Sequence, residues 1–486
     1  MTTSMALALA LLSGIFGWLI YPNIDVWPLV FVCNTPLMLA LRRGGTRKRI
    51  FFLGWTTGFV LTFGSHHFIA GTLVNLAKLP VLVAWPVFGL YAAWTGIQLG
   101  LFALGFAWLR RRSGPWLWLL TAPILFVVLE RHFPVWFQAY LSNVLWHAPV
   151  LTQALEWVGP SGLSALIVLA QCALVQALES EHAPRQRWAP LVGSVALWLA
   201  LWAWGDMRMT AVEDAPVRQR VTITMLQPNV TVAQKSARGP AVRAGLWESI
   251  EAETLTAAAD APDLMIWPEG AFPFQYRPGF GDTQQQAVEK YSVRYSRRLH
   301  ALARRLPMPF VAPGLRKADD GTVRNSAMIF QPGVAEPTVY DKRVLVPLAE
   351  RIPLADTFPS LVKQVPGASH HAPGDHFVTF EAGGARWAAS ICYEAVFPGV
   401  TRAALAFEGG ADVLLNLTND VWFGHSSEGP VHLMMQVPRA VENRKWLVRV
   451  TNTGISAIVS PAGRIVARTE QGEQTRLTYV LPVIEL

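Results

Sequence analysis

Charge is almost missing from the first 205 residues of this chain, and that limits the possible folds more than any other feature. Those positions hold 12 Lys/Arg and 5 Asp/Glu, whereas the remaining 281 hold 29 and 28. A soluble globular chain carries about 25% charged residues. This one carries 15%, with 52% hydrophobic residues, and 15 of its 20 tryptophans precede Asp206. The distribution excludes disorder, a coiled coil, a disulfide-rich scaffold and a single soluble domain. It leaves a membrane half followed by a water-soluble half.

A spanning helix needs about 20 mostly apolar residues. Seven such runs are expected, near 5–21, 26–41, 50–72, 81–109, 115–135, 150–178 and 188–205. The first has no basic leading region and no Ala-x-Ala site, so it reads as a retained helix and not a cleaved signal. Three basic clusters follow the second, fourth and sixth runs: Arg42, Arg43, Arg47, Lys48 and Arg49; Arg110, Arg111 and Arg112; Arg185 and Arg187. All three therefore fall on one side, which the positive-inside rule makes the cytoplasm. An odd number of spans puts everything after Trp204 outside. The soluble half is therefore expected on the extracytoplasmic face.

The formal net charge of +8 comes almost wholly from those clusters. Nucleic-acid binding needs a basic face on a folded surface, so nucleic acid is not an expected partner. Glu130 and Arg131 lie in the fifth run. They read either as an ionisable pair at membrane depth, which marks a site, or as an interfacial pair packed between helices. His66 and His67 are neighbours, point to different helix faces and read as structural. Three cysteines give no disulfide framework. Cys33 and Cys172 sit in apolar runs and read as small buried hydrophobes.

Residues 206–220 read as a polar linker. After it, strand-like segments (221–226, 264–267, 310–313, 326–330, 387–391, 413–417, 447–450 and 456–460) alternate with helical ones near 240–259, 284–305, 399–408 and 431–445. That alternation indicates a layered α/β or α+β domain over 221–486. Three of its segments carry chemistry. Leu-Met-Ile-Trp-Pro-Glu-Gly places Glu269 just past a buried strand. Tyr-Asp-Lys-Arg-Val-Leu-Val-Pro-Leu-Ala-Glu carries Lys342 and Glu350. Ala-Ala-Ser-Ile-Cys-Tyr-Glu runs a small-residue strand into Cys392, the only cysteine of the soluble half. A thiol at a sharp strand-to-helix turn is exposed and close to backbone N–H donors. A carboxylate can take the thiol proton, and an ammonium can stabilise an oxyanion. The set reads as covalent acyl transfer through a thioester, with no cofactor and no metal. Taken singly, each residue is as readily a solvated strand end, a surface lysine or a packed cysteine.

In this order and spacing, Ile-Trp-Pro-Glu, Tyr-x-Lys-x-x-Leu-Val-Pro and Ile-Cys-Tyr-Glu resemble the Glu–Lys–Cys blocks of the nitrilase superfamily. With the membrane half, Leu-Thr-Asn-Asp-Val-Trp-Phe-Gly at 417–424 and Thr-Asn-Thr-Gly-Ile-Ser at 451–456, the whole chain resembles the apolipoprotein N-acyltransferases. The resemblance implies an αββα sandwich, a phospholipid acyl donor, a thioester intermediate and an apolipoprotein amine as acceptor. It makes Glu269 the general base, Lys342 the oxyanion lysine and Cys392 the nucleophile. Glu350, Tyr393 and Glu394 become supporting residues, and Arg439, Glu442 and Arg444 an ion-paired scaffold. Phe272, Phe274, Trp422 and Phe423 are the expected substrate entrance. With the stretch Leu345–Phe358 they would form an exposed apolar rim.

The chain also departs from the family pattern. Leu348-Ala349-Glu350 replaces Phe-Gly-Glu, and Val344 stands where a histidine is common. No tryptophan closely follows Gln227-Pro228-Asn229, Trp247 being too distant. Trp136–Pro149 lacks a Gly-Phe-Pro-Trp run. The sequence stops at Leu486 without the customary eighth helix. These changes resemble a divergent conjugal-transfer branch, which leaves a membrane amidase or acyltransferase with another substrate, or a silent scaffold, as further readings. An intact triad argues against the scaffold. Reporter fusions after Arg49 and Arg112 are expected to read cytoplasm and one after Arg220 the outside; a cytoplasmic signal after Arg220 would overturn this topology.

Overall fold

The computed structural model describes every residue except 1, 23, 43, 115, 180–182, 238, 278–286, 359, 365–368 and 486. Arg43 of the first basic cluster, the opening of the expected 284–305 helix and Leu486 thus lie outside the described residues. The chain divides into two compact units. The first is Met1–Val74, Leu79–Glu213 and Pro430–Glu442; the second is Asn75–Lys78, Asp214–Gly429 and Asn443–Leu486.

The first unit is helical. Among the described residues, three helices are long and apolar enough to cross a membrane: Val81–Arg112, Leu155–Ala177 and Pro184–Glu213. The remaining expected runs are shorter or broken. Residues 26–41 divide into a 3₁₀ turn, Trp27–Phe31, and a helix, Thr35–Leu41. Residues 50–72 divide between Arg47–Ser65 and Phe68–Asn75. The candidate span Leu155–Ala177, within the run at 150–178, is itself kinked at Gly159 (φ 62°), just before Pro160. A positive φ followed by a residue without an N–H cannot continue an α-helix.

Small residues line the helix contacts. A Cβ on Gly58 would lie 2.8 Å from the Gly96 Cα, and one on Gly54 only 2.2 Å from the Leu99 carbonyl oxygen. Close backbone approach through glycine is how helices associate where no hydrophobic effect drives them together. Leu82, Leu90, Ile124, Val192 and Leu199 face outward. Glu130 is buried and accepts from the Leu141 N–H (2.7 Å) and the Ser164 hydroxyl (3.2 Å), not from Arg131, which is exposed. His66 bonds to the Ser65 hydroxyl, and His67 to the Gly64 carbonyl.

The expected linker 206–220 is drawn into regular structure. The helix beginning at Pro184 continues to Glu213, and the first strand opens at Val217. Polar side chains do not stop a helix whose backbone stays hydrogen-bonded, and Arg208 holds Glu156 with two bonds of 2.8 and 3.0 Å.

The second unit contains twelve described strands: β1 (Val217–Gln227), β2 (Leu264–Ile266), β3 (Phe310–Lys317), β4 (Val323–Phe330), β5 (Thr338–Asp341), β6 (Thr379–Ala382), β7 (Ala385–Ile391), β8 (Val413–Thr418), β9 (Trp446–Thr451), β10 (Ala457–Val459), β11 (Ile465–Arg468) and β12 (Thr475–Ile484). They form two six-stranded sheets, ordered β12-β1-β2-β3-β4-β5 and β11-β10-β9-β8-β7-β6. β1–β2–β3 and β7–β8–β9 run parallel, and antiparallel strands flank them. The sheets meet across one apolar core, in which Ile223, Ile266, Val311 and Tyr340 face Trp387, Ala389, Leu415 and Val448. Helices Pro240–Ala258 and Ala287–Arg305 cover the outer face of the first sheet through Trp247, Tyr295 and Leu299. Pro398–Ala406 packs beside β7 and β8. This is the αββα sandwich.

Phe272 and Phe274 are not an exposed rim. They are 3% and 4% exposed, and Phe274 stacks on Tyr295 with ring centroids 3.9 Å apart. The apolar layer between sheet and helices lies next to their loop and offers rings more burial than solvent does. Phe274→Ala is therefore expected to cost about 3–5 kcal/mol of stability, read as a lower denaturant midpoint. An unchanged midpoint would return Phe274 to the surface.

Candidate active site

Three loops carry the acid, the lysine and the cysteine, and each leaves the C-terminal end of a strand. Glu269 follows β2 through Trp267 and Pro268, Lys342 directly follows β5, and Cys392 directly follows β7. β2 and β5 belong to one sheet and β7 to the other, so closing the sandwich brings the three loops to one end of the core.

Lys342 is 1% exposed. Its ammonium donates to Glu350 at 2.8–3.0 Å and lies 3.5 Å from Glu269 Oε1. Asn325, on β4, ties the two carboxylates together, donating through Nδ2 to Glu269 (2.6 Å) and to Glu350 (2.9 Å). The Val346 N–H adds a bond to Glu350 (2.9 Å). Burial favours neutral Lys342, but Glu350 and Glu269 outweigh it and hold the ammonium well above its usual value. Burial likewise raises Glu350, yet Lys342 leaves its carboxyl below the usual carboxylate range.

Cys392 has φ 52°, a left-handed backbone that a non-glycine residue adopts at a cost of about 1–3 kcal/mol. Glu394 pins this turn. Its carboxylate accepts from the Ile391 N–H (2.7 Å) behind the cysteine, and also from the Tyr340 hydroxyl (2.7 Å) and the Arg343 and Val344 N–H groups (2.7 and 3.1 Å) of the lysine loop. One buried carboxylate thus fixes the cysteine turn to the lysine loop. Burial, reinforced by Glu269, pushes the thiol well above its ordinary value. It rests protonated, and forming the thiolate requires a base. Glu269 is the carboxylate whose field it feels most.

Tyr393 is buried, edge-on to Phe397. Trp422 and Phe423, on the turn after β8, are half-buried. That loop is anchored by Asp420, which holds Arg449 at 2.7 Å, both buried. Of the expected rim, Leu354 and Phe358 are exposed. Arg439 pairs with Glu442, and Arg444 donates to the Pro461 carbonyl (3.0 Å). The sequence reading misses Asn325 and Lys235. Asn325 stands between Arg324 and Ser326 at the polar start of β4, where nothing in the pattern marks it. Lys235 lies in the short helix Val232–Ser236 without any motif that the reading used. Even so, its Nζ comes within 2.9 Å of the point a Cβ on Gly270 would occupy.

The fold and this cluster define a carbon–nitrogen hydrolase-type enzyme, and the carbon–nitrogen hydrolase family matches residues 218–482. The apolipoprotein N-acyltransferase N-terminal domain matches residues 13–173. The chain is 32% identical to the apolipoprotein N-acyltransferase of Geobacter metallireducens over 94% of its length and 85% of that protein. It is 29% identical to that of Bdellovibrio bacteriovorus, over 98% and 88%. Among solved structures, Saccharomyces cerevisiae Nit3, a nitrilase-superfamily member, covers 55% of this chain and 91% of its own at 16% identity and a TM-score of 0.39. The chain belongs to the apolipoprotein N-acyltransferase family and is a membrane protein and an N-acyltransferase of nitrilase type.

Glu350→Gln is expected to cost about 1–3 kcal/mol at neutral pH, since a neutral amide cannot replace the carboxylate beside buried Lys342. Because the folded value is depressed, the stabilisation is complete above the free glutamate value near 4.3 and is lost as pH falls through the lower folded value. Denaturant melts should therefore show the gap between wild type and variant narrowing below about pH 4. A gap independent of pH would contradict a charged Glu350.

Proposed function

We propose that the cluster moves a fatty acyl chain from phospholipid, through a thioester on Cys392, to the N-terminal amine of an apolipoprotein. The observation that carries this reading is a cysteine in a strained turn beside a buried lysine clamped by two carboxylates. Glu269 takes the Cys392 proton. The thiolate attacks the ester carbonyl carbon, and the negative charge that develops on its oxygen is stabilised by the Lys342 ammonium. Collapse breaks the carbon–oxygen ester bond, and the lysophospholipid alkoxide leaves with the proton held by Glu269. The acceptor amine then attacks the thioester carbon, Glu269 takes its proton, and collapse breaks the carbon–sulfur bond to expel the thiolate, which recovers that proton from Glu269. Glu350 and Asn325 keep Lys342 charged and in place. Glu394 and Tyr393 support the nucleophile turn. Trp422, Phe423, Leu354 and Phe358 give acyl chains an apolar approach.

Seven spans, an inner-membrane location and a catalytic unit facing the periplasm complete the proposal. The basic clusters and the family's lipid-linked substrates support it. The test is rescue of a strain depleted of its own lipoprotein N-acyltransferase. The wild-type gene should restore growth and Cys392→Ala should not. Glu269→Gln should lose roughly 10²–10⁴-fold in turnover, and Lys342→Met roughly 10²–10³-fold. Turnover within a few-fold of wild type in either variant would contradict the assigned roles.

A further inference from the structure

Lys342 is the cation of the proposed chemistry, but it is out of reach of any second anion. It is 1% exposed and engaged by Glu269 and Glu350. With a neutral thiol, those two carboxylates and one ammonium leave the cluster one negative charge in excess. Lys235 supplies the compensating positive charge. Among the described residues its ammonium makes no hydrogen bond and no ion pair, although Glu269 acts on it electrostatically. It is also not sealed away, since the residue stays partly exposed.

A second donor points at the same place. The Nδ2 of Asn419 lies 3.6 Å from the point at Gly270 that the Lys235 Nζ approaches to 2.9 Å. Its orientation is fixed by a chain of amide contacts. Asn452 accepts from the Val230 N–H (2.8 Å) and donates to the Val230 carbonyl (2.9 Å), which sets its own amide. The same Nδ2 then donates to Asn419 Oδ1 (3.1 Å), which also accepts from the Val421 N–H (3.3 Å). Oδ1 is thereby used, and Nδ2 is turned toward Gly270 with no acceptor among the described residues. Gly270 has φ +65° and no side chain, so the space between the two nitrogens stays open.

We propose that Lys235 and Asn419 form an anion subsite beside the catalytic cluster that takes the phosphodiester of the acyl donor. The inference rests on the phospholipid-donor reading above. An ammonium and an amide N–H₂ are both donors, as a phosphate oxygen requires, and a charge-assisted bond is the stronger kind. In a glycerophospholipid two backbone carbons separate the phosphate oxygen from the nearer ester oxygen, so one donor molecule can engage both the subsite and Cys392. Burial brings Lys235 down to about 8 while Glu269 opposes the fall, so the ammonium still predominates at neutral pH.

The experiment compares phosphatidylglycerol with diacylglycerol bearing the same chains, in one detergent, as donors to the full-length enzyme. Wild type, Lys235→Met, Lys235→Arg and Asn419→Ala are each assayed. In Lys235→Met, kcat/KM for phosphatidylglycerol should fall at least about tenfold more than that for diacylglycerol, chiefly through KM, as expected for loss of a charged hydrogen bond. Lys235→Arg should recover most of the difference, and Asn419→Ala should show a smaller loss of the same kind. Equal losses on both donors would overturn the subsite and make Lys235 a support of the nucleophile or the fold. An unaffected preference for phosphatidylglycerol would overturn it as well. If wild type accepts phosphatidylglycerol no better than a Cys392→Ala control, the donor reading itself fails, and the subsite's ligand with it.

Discussion

The site depends on a single buried ammonium. Lys342 remains charged at 1% exposure because Glu350 and Glu269 surround it. An isolated ammonium in that position would shed its proton or distort the fold. Two carboxylates without the lysine would repel each other across Asn325. Each member therefore makes the others tolerable, and the arrangement is worth more as a set than any pair within it. It also explains why Glu350 and Asn325 sit with the reacting groups although neither is assigned a bond to make or break. They fix the geometry of a charge that is proposed to act on a short-lived oxyanion.

Glu394 does for the backbone what Glu350 does for the lysine. Its two oxygens take four donors from two loops, so the strained turn at Cys392 and the loop after β5 cannot move independently. Backbone strain of this kind persists only where the surroundings over-determine it. The first unit follows a different rule. Glycines let its helices approach closely, and leucine, isoleucine and valine face outward, an arrangement that would aggregate in water and is satisfied in lipid.

How much of this was legible in the sequence follows from how strongly each residue's surroundings constrain it. The eight central strands could all be read over their buried, mostly apolar stretches, but not over polar ends such as Val217–Arg220 of β1. The four edge strands, β5, β6, β11 and β12, all carry exposed or half-buried positions, and no bounds could be set for them. Glu269, Lys342 and Cys392 stood out because they follow the ends of strands. Phe272 and Phe274 were misjudged because a proline-containing loop looks exposed until the helices that cover it are known. The polar segment before β1 was read as a linker because composition does not report where a helix's hydrogen bonding stops. The pairing of Lys235 with Asn419, which lies in the 417–424 run, was illegible for a related reason. Only folding brings together two donors almost 200 positions apart in the chain.

The central claim is that Cys392 carries the acyl group between donor and acceptor. The most direct measurement is peptide mass spectrometry of the enzyme after incubation with a phospholipid of defined chains. The account predicts one acyl mass, from that lipid, on the peptide containing Cys392. It should be removed by hydroxylamine and lost when a diacylated lipopeptide amine is added, with the same mass appearing on the lipopeptide. An acyl group on any other residue, or free fatty acid released without transfer to the amine, would contradict it.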